Sequence, residues 1–167
     1  MTVSAFELFK LGVGPSSSHT MGPMVAAGRF VDELKGAGLI DSITSIKVKL
    51  YASLALTGRG HATDRAVLLG LAGFHPQTID PDAADLTYQS IVANGQLRLG
   101  GVRQIAFDVG EDIIWAGRER LDHHPNALGL TAFGPTGEAV LSETYYSVGG
   151  GFIVSDPEKD LRSIGDN

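Results

Sequence analysis

No cysteine occurs among the 167 residues of this chain. Disulfide bonds, thiol nucleophiles and thiolate metal ligands are therefore excluded within it. The sequence also has no apolar run of the ~18–20 residues that a membrane-spanning helix requires. Its first segment, MTVSAFELFKLGVG, lacks the basic start and continuous apolar stretch of a secretory signal. These absences predict a cytoplasmic protein that is not inserted in a membrane.

Basic residues are in the minority, with 13 Lys and Arg against 19 Asp and Glu and a formal net charge of −6. Nucleic acids and anionic membrane surfaces attract basic patches, so the charge balance argues against both as partners. Hydrophobic residues make up 43% of the chain, which is enough to build the core of one domain. We interpret residues 1–155 as that domain and the polar segment 156–167 as a linker.

Two early helices followed by a series of strands predict an α+β domain, with helices packed on one face of an antiparallel or mixed sheet. The first helix should begin near residues 20–22, because Pro23 is tolerated only in the first turn. Ser18 is a candidate cap for it. A second helix is predicted over Asp64–Ala72, with Thr63 as its cap and a polar turn at residues 57–61 before it.

The prediction of a strand over Ser45–Tyr51 rests on alternation of apolar and polar residues, and the later strands are predicted between glycine-containing turns. Residues 75–85 are interpreted as a loop that opens into a short polar helix ending at Gln89. The glycines at 149–151 allow a sharp turn or a close approach to a neighbour, or they form a flexible exit from the sheet. The predicted strands are Ser45–Tyr51, Gln96–Leu99, Arg103–Val109, Ile113–Trp115, Leu128–Phe133 and Ala139–Tyr146.

The segment GPSSSHT contains the most informative polar residues: Ser16, Ser17, Ser18, His19 and Thr20. Hydroxyl groups and free backbone N–H groups at a helix start favour a bound carboxylate or phosphate. The plainer interpretation is that one serine caps the helix while the others are solvated. The residues alone leave both interpretations open.

Other histidines extend the list of candidates. His61 follows Arg59 and Gly60 just before the second helix, and an imidazole exchanges protons near neutral pH. A surface or structural role is the alternative for His61. His124 and Asn126 lie in the segment HHPN, and Tyr146 lies at the end of a predicted strand. His19, His61 and His124 could together hold zinc, although no spacing requires a metal.

Several common fingerprints are missing. The sequence has no phosphate-binding GxxxxGK[ST], no GxGxxG between a strand and a helix, and no GxSxG nucleophile elbow. A self-contained serine hydrolase is therefore the poorest of the alternatives.

Four segments in register, SAFELFKLGVGPSSSHTMGPMVAAGRF, LTGRGHATDRAVLLGL, DHHPNALGL and YYSVGGGFI, resemble the iron–sulfur-dependent bacterial L-serine dehydratases, also called L-serine ammonia-lyases. The resemblance spans nearly the whole chain to about residue 154. It implies that the chain is the N-terminal β domain of such an enzyme. In fold, that domain is similar to the allosteric substrate-binding domain of some D-3-phosphoglycerate dehydrogenases.

The resemblance also implies a reaction and its partners. L-Serine is converted to pyruvate and ammonia in amino-acid degradation and gluconeogenesis, with an iron of a [4Fe–4S] cluster acting as Lewis acid. The cluster would be held by cysteines of a separate catalytic domain that is absent here, and none would be held by this chain. The complete enzyme is expected to be a homodimer, and this chain alone is expected to be inactive.

Site roles follow from the same resemblance. His61 is expected to be the base that removes the α-proton, with His19 as the second candidate. The expected substrate-binding residues are Ser16, Ser17, Ser18, Thr20, His124, Asn126 and Tyr146, and no metal ligand is expected. Two alternatives remain for the chain: a module that senses L-serine without chemistry, and a module that only joins two subunits.

Overall fold

The structure, a computed structural model, describes residues 17–58 and 62–155. The α-helices in these ranges are α1 (Gly22–Gly36), α2 (Ala52–Gly58), α3 (Thr63–Leu71), α4 (Pro81–Asn94) and α5 (Val109–Asp112). The strands are β1 (Ser45–Tyr51), β2 (Gln96–Leu99), β3 (Arg103–Ala106), β4 (Ile113–Ala116), β5 (Ala127–Phe133), β6 (Ala139–Gly149) and β7 (Phe152–Ser155). A π-helical turn, Ser17–Met21, leads into α1, and a 3-10 turn, Ile40–Ser42, follows it.

Five of the strands form one mixed sheet in the order β4-β1-β5-β6-β7. The β1–β4 pair is parallel, and the β1–β5, β5–β6 and β6–β7 pairs are antiparallel. Strands β2 and β3 form a separate antiparallel hairpin. The predicted α+β class is confirmed, and the sheet is of the mixed kind.

One face of the large sheet is covered by helices. The period-two pattern of β1 puts Ile46, Val48 and Leu50 on this face, where all three are fully buried. They share a single core with residues of α1 and α3 such as Phe30 and Leu68. The two helices approach each other closely at Gly70, because a Cβ there would overlap the backbone of Met24. The helices therefore pack on the face that alternation in the sequence predicts.

Two predicted helix caps are wrong. The residue before α1 is Met21, whose backbone is already helical and whose side chain makes no capping bond, because the π-helical turn runs directly into the helix. The residue before α3 is Ala62 rather than Thr63, and it has a left-handed backbone with φ of 59°. The Ser18 and Thr63 hydroxyls bond to His19 instead.

The sequence did predict where several elements lie, but it missed others. Helix α2 occupies residues that were partly assigned to a turn, and the predicted strand Arg103–Val109 ends at Ala106 before α5 begins. Helix α4 begins at Pro81, inside the predicted loop 75–85, and runs on to Asn94, beyond the predicted end at Gln89. Its start is capped by Asp80, which accepts from the backbone N–H groups of Asp82 and Ala83.

The glycine run at 149–151 forms a turn between β6 and β7, a strand that the sequence did not predict. All three glycines have positive φ angles, of 101°, 63° and 80°. Residues with a side chain rarely adopt that conformation, so three in succession require glycine. Of the three interpretations, the sharp turn and the close approach are observed, since a Cβ on Gly151 would overlap the Met21 side chain.

Within residues 17–58 and 62–155, no helix combines the length and the apolar character needed to cross a membrane.

Candidate functional site

The candidate residues within the described ranges gather at one end of the large sheet. Strand β1 ends at Tyr51, and its antiparallel neighbour β5 begins at Ala127, close to where β6 ends. The segment with His124 and Asn126 enters β5 at this end, and Tyr146 pairs with Ala127 there. Helix α2 starts directly after β1 at the same end. The topology thus brings together segments far apart in the sequence.

His19 lies in the π-helical turn and is held at both ring nitrogens. Its Nδ1 is 2.8 Å from the Ser18 hydroxyl, and its Nε2 is 3.2 Å from the Ser53 hydroxyl of α2. The Thr63 hydroxyl donates to the backbone carbonyl of His19 over 2.5 Å. Ser18 and His19 are half-buried, whereas Thr20 and Thr63 are fully buried. The His19 imidazole and the Ser18 hydroxyl are therefore partly exposed on a turn that the buried Thr63 holds in place.

Gly58 allows α2 and α3 to meet beneath this turn. A Cβ at Gly58 would lie 3.0 Å from the Thr63 hydroxyl and 3.1 Å from the Trp115 ring. Because Gly58 has no side chain, α2 and α3 pack closely enough for the Thr63 hydroxyl to reach the His19 carbonyl.

A second group surrounds Tyr146. A cavity of about 240 Å³ is lined by His123, His124, Tyr146, Val148 and Val154. The His123 ring meets the buried Tyr146 ring edge-on, with 5.6 Å between centroids. The backbone N–H of Asn126 donates to His124 Nδ1 over 3.0 Å, which fixes the orientation of that imidazole.

Ser147 connects the two groups. Its backbone N–H donates to the carbonyl of Asn126 over 2.9 Å, and its side chain lies against Gly22 at the start of α1. Ser147 is fully buried, and its hydroxyl oxygen has no hydrogen-bond partner in the described ranges. The contact between Ser147 and Gly22 sets how closely the turn with His19 approaches β6.

The neighbouring Tyr145 points to the opposite, helix-covered face of the sheet. Its hydroxyl is 3.5 Å from a carboxylate oxygen of Glu33. Burial, reinforced by the nearby Glu33 and Glu143 carboxylates, raises the pKa of Tyr145 far above its usual range. The two adjacent tyrosines therefore divide as strand geometry predicts, with Tyr145 in the core and Tyr146 at the cavity.

Some predicted site residues lie outside the described residues. These are Ser16 and His61, and the side chain of Ser17 is also not described. In sequence, His61 stands two residues before Thr63, the residue that bonds to the His19 carbonyl. The zinc alternative needs His61, so it stays untested. In the described part of the chain, no three His, Cys, Asp or Glu side chains are arranged to hold a metal ion.

Sequence reasoning missed Ser53 and Ser147. Ser53 is not part of any quoted motif. The signal that could have found it is its position just after a strand, at the sheet end where the candidate loops meet. Ser147 does lie in the glycine-rich segment YYSVGGGFI, where the tyrosine and the glycines are the residue types that indicate a site.

Fold and site together define an α+β domain with a histidine held between serine hydroxyls at one end of its sheet. The family profile described as "serine dehydratase beta chain" matches residues 4–158. The chain belongs to this family.

Similar proteins carry consistent names. An L-serine dehydratase of Streptomyces coelicolor is 47% identical over 156 residues, which cover 93% of this chain and 34% of that protein. L-Serine dehydratase TdcG of Escherichia coli K12 is 46% identical over 155 residues, covering 92% of this chain and 34% of that protein. The Mycobacterium tuberculosis L-serine dehydratase is 45% identical over 161 residues, again with 93% and 34% covered. The chain thus spans about a third of the length of these relatives.

Proposed function

We propose that the chain supplies the β part of an L-serine dehydratase, an enzyme that converts L-serine to pyruvate and ammonia. The supporting observation is that His19, in the motif shared with the family resemblance, is held by Ser18 and Ser53 at the sheet end. The relatives named above support the choice of L-serine as substrate.

The reaction defines the work of this chain's residues. A base removes the α-proton while the β-hydroxyl departs as water, and the resulting aminoacrylate hydrolyses to pyruvate and ammonia. We assign the base to His61 and keep His19 as the second candidate, since an imidazole can accept a proton near neutral pH. The remaining residues of the motif, Ser16, Ser17, Ser18 and Thr20, are proposed to hold the carboxylate and ammonium groups of L-serine.

His124, Asn126 and Tyr146 are proposed to position the substrate or to tune the base. The bond from the Asn126 N–H to His124 Nδ1 leaves the other ring nitrogen of His124 available for this role. Tyr146 lines the cavity beside His123 and His124, whereas Thr20 is fully buried, so Thr20 would contact the substrate only after a movement of the turn that contains it.

The iron–sulfur cluster does not fit the residues of this chain. Cysteine thiolates are the usual ligands of such clusters, and this sequence contains none. A cluster in the complete enzyme would therefore be bound by residues outside these 167. We propose that the complete enzyme is a cytoplasmic homodimer that serves amino-acid degradation and gluconeogenesis, on the support of the family resemblance alone.

The experiment is replacement of His61 in a complete enzyme. This chain is exchanged for the matching third of the Streptomyces coelicolor L-serine dehydratase, and the chimaera is compared with its His61→Ala variant. Loss of a general base is expected to reduce kcat on the order of a hundredfold or more. His75→Ala, which changes an exposed histidine between α3 and α4, is the control and should leave kcat unchanged.

A decrease of only twofold for His61→Ala would remove His61 from the role of base. If the separate chain then still bound L-serine, the sensing module would be the better description of its function.

A further inference from the structure

We propose that Ser53 is a positioning residue for His19, and that its hydroxyl determines which ring nitrogen of His19 carries the proton. This inference rests on the proposed function, in which His19 acts at the substrate site. The inference is drawn from two contacts: the Ser18 hydroxyl lies 2.8 Å from Nδ1 of His19, and the Ser53 hydroxyl lies 3.2 Å from Nε2. The ring cannot rotate without breaking both bonds.

Ser53 lies beside His19 because α2 follows β1 without a connecting loop. Strand β1 ends at Tyr51, and α2 begins at Ala52, whose φ of 40° lies in the left-handed region. Alanine adopts that conformation only where other contacts compensate for its cost. Here the Ala52 N–H donates to the carbonyl of Glu119 over 2.9 Å. The sharp junction places the first turn of α2 beside the π-helical turn.

Packing then fixes Ser53 on its helix. The next two residues, Leu54 and Ala55, are buried in the main core. One turn further on, the Thr57 hydroxyl donates to the carbonyl of Ser53 over 2.8 Å. Ser53 itself is half-buried, so its hydroxyl is partly shielded from competing water. A side chain held in this way can select one protonation form of its partner.

The chemical consequence concerns the tautomer of His19. A neutral imidazole has one N–H donor and one acceptor nitrogen, whereas a serine hydroxyl can serve in either role. In the neutral ring, the Ser53 hydroxyl either accepts from Nε2 or donates to it, and Nδ1 then takes the opposite role toward Ser18. Removing the Ser53 hydroxyl therefore changes the balance between the tautomer with the proton on Nδ1 and the tautomer with the proton on Nε2.

The experiment measures the tautomers of His19 directly, by ¹⁵N NMR of the imidazole nitrogens in the 167-residue chain. The chain has five histidines, and His19→Gln identifies the signals of His19. In the wild type, the two nitrogen shifts should differ widely, as in a ring locked in one tautomer. In Ser53→Ala, the tautomer ratio should change by about fivefold, the size that one net hydrogen bond of ordinary strength produces.

Matched variants separate positioning from general disturbance. Ser42→Ala removes the hydroxyl of another half-buried serine, which donates to the carbonyl of Leu39, and it should leave the tautomer ratio as in the wild type. Ser53→Thr keeps the hydroxyl and should retain the locked ratio. If Ser53→Ala fails to fold, Ser53→Thr and Ser53→Val, which are alike in shape and differ in the hydroxyl, make the same comparison. An unchanged ratio in the variant that lacks the hydroxyl would overturn the proposal.

The result does not depend on turnover. If Ser53 shifts the tautomer ratio but His19→Gln leaves kcat of the chimaera unchanged, the positioning inference stands and the proposed role of His19 fails. If His19→Gln abolishes turnover while the ratio ignores Ser53, the reverse holds.

Discussion

Gly22 has no side chain, and Ser147 of β6 fills the space where one would lie. We therefore expect Gly22→Ala to reduce the free energy of unfolding by about 1–3 kcal/mol, the usual cost of overpacking. Gly28, also on α1, is the matched control, because a Cβ there would meet no atom within 4 Å. Gly28→Ala should instead be stabilising by about 0.5–1 kcal/mol, since alanine is the better helix former. Urea denaturation of both variants makes the comparison.

The partner residue gives a second check on this contact. Ser147→Ala alone should be nearly neutral, because the buried hydroxyl that it removes has no partner in the described ranges. In the Ser147→Ala background, the loss caused by Gly22→Ala should shrink, since the largest part of the overlap has gone. Strictly additive effects of the two substitutions would contradict the contact.

At the residue scale, the sequence indicated which side chains are unusual better than it indicated which groups they form hydrogen bonds with. The polar character of Ser18, His19 and Thr63 marked them as unusual, but the sequence offered only helix capping or a bound anion to explain the hydroxyls. Their actual partner is His19, and for Thr63 that partner lies 44 residues away in the chain. Such a bond depends on how α1 and α3 pack, which local propensity does not contain.

At the scale of single elements, the ionisation of Tyr145 on β6 should make the free energy of unfolding depend on pH. Burial raises the pKa of Tyr145 in the folded chain above the ordinary value of 10.0 that holds when the chain is unfolded. The unfolded chain therefore loses this proton first. The stabilisation is complete below about pH 10 and is lost as the pH rises further.

Tyr145→Phe isolates this effect. The ring stays in the core, and the bond that is lost, to Glu33, is long at 3.5 Å. The free energies of unfolding of wild type and variant should differ little at pH 7. Above about pH 10 the wild type should fall more steeply than the variant. Parallel decline of the two proteins between about pH 9 and pH 11 would contradict the assignment.

Prediction of elements from the sequence succeeded where the pattern is local. The alternation in SIKVKLY predicted β1 with the bounds observed, and Pro23 marked the start of α1. Helix α2 was missed because it is short and starts at a left-handed alanine, which no propensity favours. Strand β7 was missed because a run of three glycines permits a turn and a flexible exit equally well.

At the scale of the whole molecule, the site lies at an end of the sheet that also exposes apolar side chains. Val148, Phe152 and Val154 on β6 and β7 are 48%, 72% and 50% exposed. The relatives are about three times as long as the region that matches this chain. The arrangement agrees with a domain whose chemistry is completed by other parts of a larger protein, as we propose.

At this scale, the family of the chain could be predicted from the sequence. The motifs of the four matching segments predicted the family, and the family profile over residues 4–158 confirms it. The boundary at residue 155 and the linker 156–167 stay predictions, because the structure does not describe residues beyond Ser155. The roles of the site residues stay predictions too, since the described ones converge at the sheet end and Ser16 and His61 lie outside the described ranges.

The most direct measurement is the formation of pyruvate from L-serine by the chimaera that carries this chain. We expect turnover within about tenfold of the Streptomyces coelicolor enzyme, since a single misplaced catalytic element typically costs about 10²-fold or more. The separate 167-residue chain should form no pyruvate under the same conditions. A folded chimaera that contains its iron–sulfur cluster and leaves L-serine unchanged would contradict the proposal that this chain is the β part of an L-serine dehydratase.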